Sequence, residues 1–537
     1  MTEYQKWKKH YQQFFDECSE YRELPAMRDK TFQLSENKAW YEASTGLELI
    51  RFYKTIKPKD SLPFRYNQFY QIAFKDVNSD DTIRNTPKIF PVHVDFAQQI
   101  PKVMSKLVFP KRPSISVSTG NESTDKELQK MLDNMLDENK IELLLNEAAE
   151  KLSYSGAIAF RFNLDDMESE YPILEVYPKE DIEIYKRYGN RIDAIIFKNY
   201  YRDKTKRYLL YTIYGKGFID YRLYQTSRDW TNLKKEVELS SLEATKDLKP
   251  IQFINNDGTP SNKILAVYME NKVGAKSDYN GMIDEFVSLD EIRSNLILFL
   301  RTAKIKQYIH SNLLQENEDG KQIVPDSYDM DTVVVRDSNP NWTESEIKRD
   351  IPDIANSVQG YKYAFEDILL QCLTSLGLSP ATMGFDLAGA NSSALALNIR
   401  ERMTLHTRES KLQSWTVCLQ EMVKMLFIYA FMMQKGETYV VPDVDYIDSI
   451  ITFAEYGRDE VELVDDLIKR LDAQLIDIYS AYEELYPDKT EEERKAMIEL
   501  ALNLIPEIPE VSKEDYTAET KETEDIKTEN TIEKDTE

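Results

Sequence analysis

An α+β fold is what this sequence predicts, with helix-forming and sheet-forming residues kept in separate stretches of the chain. Three observations carry that expectation. Between Ala157 and Tyr224 short β-rich runs follow one another at about ten-residue spacing, divided by turn residues, as in an antiparallel meander. On both sides of that region apolar residues recur with helical period. Ala390 to Lys435 contains neither Gly nor Pro, so it can form one helix of roughly 40 residues, on the order of 60 Å long. Globular helices usually run to about 10–14 residues, so this one spans a large structure or bends within one.

Each element follows in chain order. The N-terminal "MTEYQKWKKHYQQFF" is amphipathic and charged, without the apolar core of a signal peptide, and residues 1–40 read as a helical arm. Pro87, Pro91, Pro101 and Pro110 punctuate the segment that follows; Val94 to Phe109 has helical spacing and "KRPSISVS" reads as a strand. Two helices then end near Gly156. The meander comprises "AIAFRFN", "YPILEVYP", "DIEIYKRY", "RIDAIIFKNYY", "RYLLYTIYG" and "GFIDYRLYQ", and "KILAVYMENK" adds a strand after a polar loop.

Helix returns at residue 278, where Arg293, Arg301 and Lys304 share one arc of a helical wheel and "LILFL" is apolar all round, a pattern that suits packing among neighbouring helices. Asn312 to Asn341 is a polar insert whose runs "KQIVP" and "DTVVVRD" predict a small hairpin. A second helix is expected over 342–377, with Thr343 and Glu346 as a capping box and Pro352 as a break or restart. Gly377, Gly384 and Gly389 punctuate the loop before the long helix. "TYVVPDVDYIDSIITFAE" looks extended, Asp459 to Leu504 predicts two or three acidic helices, and the Thr- and acid-rich tail beyond Pro509 is expected to be disordered.

Composition restricts the function. The 537 residues allow two to four domains, and with 42% apolar residues a sizeable core is available. Lys and Arg number 68 against 94 Asp and Glu, a formal charge of −26, which excludes a protein that coats nucleic acid through net positive charge. Cys18, Cys372 and Cys418 lack metal-ligand spacing and are too scattered for a disulfide framework, which points to a reducing compartment. The apolar run Met425 to Met433 is about half the length a bilayer needs, so a soluble intracellular product with no membrane partner is expected.

Catalytic signatures do not assemble. There is no G-x-x-x-x-G-K-[ST] loop, and "YGKGF" at Tyr214 to Phe218 lacks its spacing; H-E-x-x-H, G-x-S-x-G and Cys/His clusters are missing too. His406 with Arg408 and Glu409 reads either as a general base with partners or as a surface ion-pair cluster. Asp165, Asp166, Glu168 and Glu170 read as a metal site or an acidic loop. Phe109 to Ser118, with Lys102 and Lys106, reads as a phosphate-contacting patch or a basic join between helix and strand. No catalytic residue, metal ligand or cofactor is assigned.

The order of elements resembles the portal proteins of tailed bacteriophages, especially those of long-tailed phages of Gram-positive hosts, over about residues 40 to 505. "LSYSGAIAFRFNLDD…YPILEVYPKEDIEIY" resembles the wing strand pair, with Gly156 at the turn and Pro178 opening the next element. "NGMIDEFVSLDEIRSNL" resembles the first stem helix, with Ile283, Asp284, Leu289, Asp290 and Ser294 in the family's places. "LTSLGLSPATMGFD…NSSALALNIRERM" resembles the passage through the tunnel loop. The resemblance implies a wing at 41–277, a first stem helix at 278–311, a clip at 312–341 and a second stem helix at 342–377. It further implies a tunnel loop at 378–393, a long wing helix and return strand at 394–450, crown helices at 451–507 and a tail at 508–537.

It also implies a non-enzymatic ring, usually of twelve copies, at one capsid vertex of the virion, assembled in the host bacterial cytoplasm. Double-stranded DNA would pass through the channel during packaging and ejection. The implied partners are the terminase large subunit, head-tail connector or adaptor proteins, and major capsid and scaffold proteins. Gly384, Phe385, Leu387, Gly389, Asn391 and Ser392 would form the loop facing DNA. Arg293, Arg301 and Lys304 would either touch phosphates or pair with a neighbouring subunit's acids. Gln322, Val324, Val333 and Val335 would belong to the clip. Two features depart from the family: the clip is short, at about 30 residues, and no Lys or Arg lies between Gly377 and Ile399. A monomeric intracellular nucleic-acid-processing enzyme is the alternative, and it predicts a basic cleft.

Overall fold

A computed structural model describes residues 25–55, 91–165, 167–188, 191–226, 233–303, 305–310, 314–317, 322–323, 330–335, 348–383, 394–435, 439–454, 460–486 and 491–504. The chain is mixed helix and sheet and divides into two units, 1–454 and 455–537.

Among the described residues of the first unit the helices are α1 (Pro25–Glu42), α2 (Gly46–Thr55), α3 (Phe96–Val108), α4 (Glu122–Glu138), α5 (Ile141–Ser155), α6 (Ile283–Thr302), α7 (Ile354–Leu376) and α8 (Ala394–Lys435). All six runs expected as a meander are strands, but they divide between two sheets. Strands β2 (Ala157–Asn163) and β3 (Ile173–Pro178) join β11 (Ala266–Glu270) in the order β11-β2-β3. Strands β4 (Ile182–Tyr188), β5 (Arg191–Asp203), β6 (Lys206–Gly215), β7 (Phe218–Thr226) and β8 (Leu233–Val237) follow as a true antiparallel meander, with β9 (Ile251–Gln252) also paired to β7. Strand β1 (Ser114–Ser118) pairs far along the chain with β18 (Asp448–Thr452), and β10 (Ile254–Asn255) pairs with β17 (Val440–Val441).

The long helix α8 is the spine of the main core. Trp415, Leu419, Met422, Val423, Leu426 and Phe427 are buried in one cluster with residues of α4, α5 and β2. Trp415 meets Phe109 edge-on and Tyr429 stacks on Phe162 while its hydroxyl donates to the Leu265 carbonyl. By length and composition Glu401–Gln434 is apolar enough to cross a bilayer, yet these contacts make it a core helix of the protein. An aromatic or aliphatic side chain so buried contributes about 1.5–3 kcal/mol, which is why a helix of this length holds its place.

Two helix ends show how the sequence sets the turns. Helix α5 stops at Gly156, whose left-handed φ of 89° lets its N–H reach the Leu152 carbonyl and turn the chain directly into β2. Helix α7 stops at Gly377, also left-handed at φ 69°.

The second unit contains α9 (Glu460–Asp472), α10 (Ile478–Leu485) and α11 (Glu491–Leu504). Asp477 caps α10 by accepting from the Ser480 N–H, and Leu467, Ala481 and Ile498 are buried.

Candidate functional site

The segment that combines an unusual shape with chemically distinct faces is the helical hairpin of α6 and α7. Its root is tied down by buried polar contacts. Asp290, fully buried, accepts from His93 Nδ1 at 2.8 Å and from the Val94 N–H at 2.7 Å; Ser294 Oγ accepts from the Val92 N–H at 2.8 Å. Phe286 packs against Trp40, Phe96 and Tyr279, and the Tyr279 hydroxyl donates to the Ala97 carbonyl. Asp290 and Ser294 recur one turn apart, so a single face of α6 fastens to the segment before α3.

Just before α6 lies a second buried cluster. Asp278 accepts from Ser153 Oγ at 2.7 Å and from Asn271 Nδ2 at 3.1 Å, and it lies 3.1 Å from Lys411 Nζ of α8 and 3.0 Å from Lys272 Nζ. Burial alone would push this carboxyl up, but the Lys411 and Lys272 ammonium groups and the two hydrogen bonds hold it well below the usual carboxylate range. The entry to the stem is thus bound at once to α5, β11 and the long helix.

A third group responds to pH. Glu36 of α1 is buried; Tyr53 donates to its Oε1 at 2.6 Å, and Trp40 Nε1 donates to the Tyr53 hydroxyl at 2.9 Å. Burial raises the Glu36 carboxyl to about 7 against the opposing Tyr53 hydrogen bond, with Asp284 of α6 adding to the rise. The folded state therefore holds this proton more tightly than the unfolded state. Its contribution is greatest below the ordinary value of 4.5 and is lost as pH rises through about 7. Glu36→Gln keeps an acceptor for Tyr53 and removes the titration. We expect it to raise stability at pH 8 by about 1–3 kcal/mol and to leave it nearly unchanged at pH 4.5, as read by thermal unfolding at both pH values.

Beyond the root the hairpin loses its cover. On α7, Leu369, Cys372, Leu373 and Leu376 are buried near the C-terminal end, while Tyr363 is 63% and Leu370 40% exposed. On α6, Leu296 to Phe299 are half-buried and Leu300 is 49% exposed. Phe299 and Tyr361 touch across the hairpin with ring centroids 6.1 Å apart. Arg293 and Arg301 are exposed on α6; Lys304 lies outside the described residues.

The tip corrects three expectations. The first helix ends at Thr302 instead of continuing to 311, because "KIKQYIH" forms strand β12 (Ile305–His310). Strand β15 (Met330–Val335) does not form a hairpin with the "KQIVP" run. It pairs in parallel with β12, placing Val333 opposite Tyr308 and Val335 opposite His310, and such a parallel pair requires a crossover. β13 (Gln315–Glu316) and β14 (Gln322–Ile323), which contains Gln322, pair within that crossover. On the other edge of β12 lies β16 (Lys348–Asp350), so the second helix begins only at Ile354. There Asp353 accepts from the Asn356 N–H and replaces the expected cap at Thr343 and Glu346, which lie outside the described residues. Pro352 thus precedes the cap, where it breaks no helical hydrogen bond. Val324 lies outside the described residues.

After α7 the chain is stitched back onto α8. Leu378 is fully buried, the Ser379 N–H donates to Thr404 Oγ1 at 2.8 Å, and Thr407 Oγ1 donates to the Gly377 carbonyl at 2.8 Å. A short 3-10 turn, Pro380–Met383, follows. Gly384, Phe385, Leu387, Gly389, Asn391 and Ser392 lie outside the described residues.

The other candidate residues lie on α8, in the basic run before β1 and in the acidic turn after β2. His406 is 78% exposed and its Nδ1 lies 3.5 Å from a Glu409 carboxylate oxygen on the surface of α8. Arg408 turns instead toward the body, where its Nε donates to the Leu107 carbonyl and its guanidinium also reaches the Ala454 carbonyl. Arg112, within the basic run, pairs with Asp137 at 2.5 Å. Asp165 accepts from the Met167 N–H in an exposed turn, and Asp166 lies outside the described residues. No group of three or more metal-ligating side chains occurs among the described residues. The root network was missed by sequence reading; its one signal was the pair of polar residues Asp290 and Ser294 one turn apart on the same helix.

Fold and site together define an α+β protein in which a two-helix hairpin carrying short β strands is fastened at its root, with one 42-residue helix in the main core. No protein-family model and no curated protein matches this chain. Among solved structures, one described as the neck of an empty GTA particle computed with C6 symmetry is 8% identical to it. The match covers 72% of this chain and 89% of that one with a TM-score of 0.38.

Proposed function

We propose that this chain is the portal protein of a tailed bacteriophage. It forms a ring at one capsid vertex through which double-stranded DNA is packaged and later ejected. The observation that carries the reading is the stem: two helices buried only at their root, with apolar side chains left open further out, and followed by a helix that runs through the main core. Large apolar side chains exposed along a projecting hairpin call for neighbouring copies to cover them. The order of stem helix, β tip, stem helix, glycine-bearing loop and long helix is the order in the portal family.

In this reading the β tip, with Gln322, Val324, Val333 and Val335, is the clip that receives the terminase large subunit and afterwards the head-tail connector or adaptor. The loop from Gly384 to Ser392 faces the DNA, and Arg301 and Lys304 are the stem's candidates for phosphate contact. Major capsid and scaffold proteins surround the ring in the virion. Twelve copies carry about −310 formal charges, which limits adhesion of DNA to the channel wall. The protein is structural and has no catalytic role.

The test is the mass of the purified protein by light scattering at moderate salt, followed by images of the particles. A species near twelve times 62.8 kDa, seen end-on as a ring with a central hole, is the expected result. A monomer that binds DNA tightly or turns over nucleic acid overturns the reading in favour of an enzyme.

A further inference from the structure

The two outer faces of the stem differ in charge, and they differ at the same height. The Phe299 and Tyr361 contact sets the antiparallel register of α6 and α7. Six residues back along α6 is Arg293 and six residues forward along α7 is Asp367, each about 9 Å from that contact at 1.5 Å per residue. Both therefore lie at one level of the hairpin.

At 100° per residue Arg293, Ile297, Leu300 and Arg301 fall on the side of α6 turned away from α7. Tyr363, Asp367 and Leu370 fall within one arc on the side of α7 turned away from Phe365, Leu369 and Cys372, the half-buried and buried side. One outer face thus combines apolar side chains with two arginines; the opposite one combines them with an aspartate. Arg293, Arg301 and Asp367 are exposed and have no ion-pair partner among the described residues. By contrast Glu366, next to Asp367 in sequence, lies 3.6 Å from Lys362 of the same helix.

We propose that the occupant of each face is a second copy of this chain. The basic apolar face of α6 packs on the acidic apolar face of α7 in the next copy, with Arg293 paired to Asp367. Because the two faces are different surfaces, the contact is heterologous and repeats head to tail. Copies related by rotation about an axis along the stem keep these two residues at one level, so the contact can close into a ring. Charge complementarity fixes the register while Leu300, Tyr363 and Leu370 supply the buried area. Arg293 is then engaged by its neighbour and is not a phosphate contact. This inference rests on the ring reading proposed above.

The test uses the full chain and charge reversal. Arg293→Asp and Asp367→Arg each juxtapose like charges and raise the concentration at half-assembly about tenfold or more, and the double reversal restores assembly to within about threefold of the native chain. Both positions are exposed, so unfolding of the monomer serves as a control that stays unchanged. A second measurement is oxidation of the Arg293→Cys, Asp367→Cys double variant. A ladder of cross-linked species beyond the dimer is expected, and neither single variant produces it.

If the native chain forms a ring while the reversals and the double cysteine variant leave it unaltered, the pairing is wrong and the ring reading stands. Dimers from Arg293→Cys in a chain that also carries Cys18→Ser, its other cysteines Cys372 and Cys418 being buried, overturn the heterologous contact, since they require that face to meet itself. A native chain that forms no oligomer at any salt or concentration removes the ring reading and the pairing with it.

Discussion

Asp278→Ala lowers the stability of the protein by about 3–5 kcal/mol at pH 7, the range for removing one member of a buried ion pair. The carboxylate is 1% exposed and Lys411 is 11% exposed, so the truncation leaves the Lys411 ammonium in the interior with Asn271 Oδ1 as its remaining partner. Lys272, at 45% exposed, returns to water and loses little. Because the folded carboxyl lies below its ordinary value of 3.8, the stabilisation by Asp278 is fully present above that value and disappears as pH falls beneath it. The difference between native and variant chains should therefore narrow in acid, where denaturant titrations at pH 7 and pH 3 provide the check. An equal difference at both pH values would show that packing, and not the charge, accounts for the loss.

Gly156→Ala is the second large effect, and it acts on the same junction through the backbone. A Cβ there would stand 2.5 Å from the Ala275 carbonyl oxygen and 2.6 Å from the Ser277 nitrogen, both main-chain atoms that cannot swing aside. The left-handed backbone adds about 1–2 kcal/mol and displacement of the neighbouring turn at Ala275 to Ser277 about 1–3 kcal/mol. The Gly156 carbonyl also accepts from the Asn271 N–H, and Asn271 in turn holds Asp278 and Lys411. We expect a fall in stability of about 2–5 kcal/mol and non-additive behaviour with Asp278→Ala, since the two sites share Asn271. A double-mutant cycle read by unfolding checks it; strict additivity would separate the turn from the ion cluster.

Much of the fold was legible because local chemistry decides it. The β-rich runs from Ala157 onward alternate or cluster β-branched and aromatic residues, and apart from the pairing of β2 with β11 their strands pair with near sequence neighbours. The 42-residue helix was visible in the absence of any Gly or Pro from Ala394 to Lys435. Gly377 as a helix stop followed from its place after an apolar helical run. The site was less legible. "KIKQYIH" at Lys304 to His310 continues a helix by composition, and only β15 and β16, pairing on either side of β12, make it a strand. In the same way Thr343 and Glu346 match a capping box in spacing, but strand β16 postpones the helix to Asp353.

By itself, then, the sequence determined the α+β class, the acidic balance, the long helix and the order of helix, β insert, helix and glycine-bearing loop. Periodicity, propensity and charge count are properties of neighbours along the chain and need no tertiary partner to be read. Tertiary structure alone decided that Asp278 meets Lys411, that Asp290 meets His93, and that β1 pairs with β18. It also decided that Arg293 and Asp367 stand level on opposite faces. Those relations join residues from 74 to more than 300 positions apart, and which of many possible partners is chosen depends on how helices and sheets pack, a constraint that no local window of sequence contains.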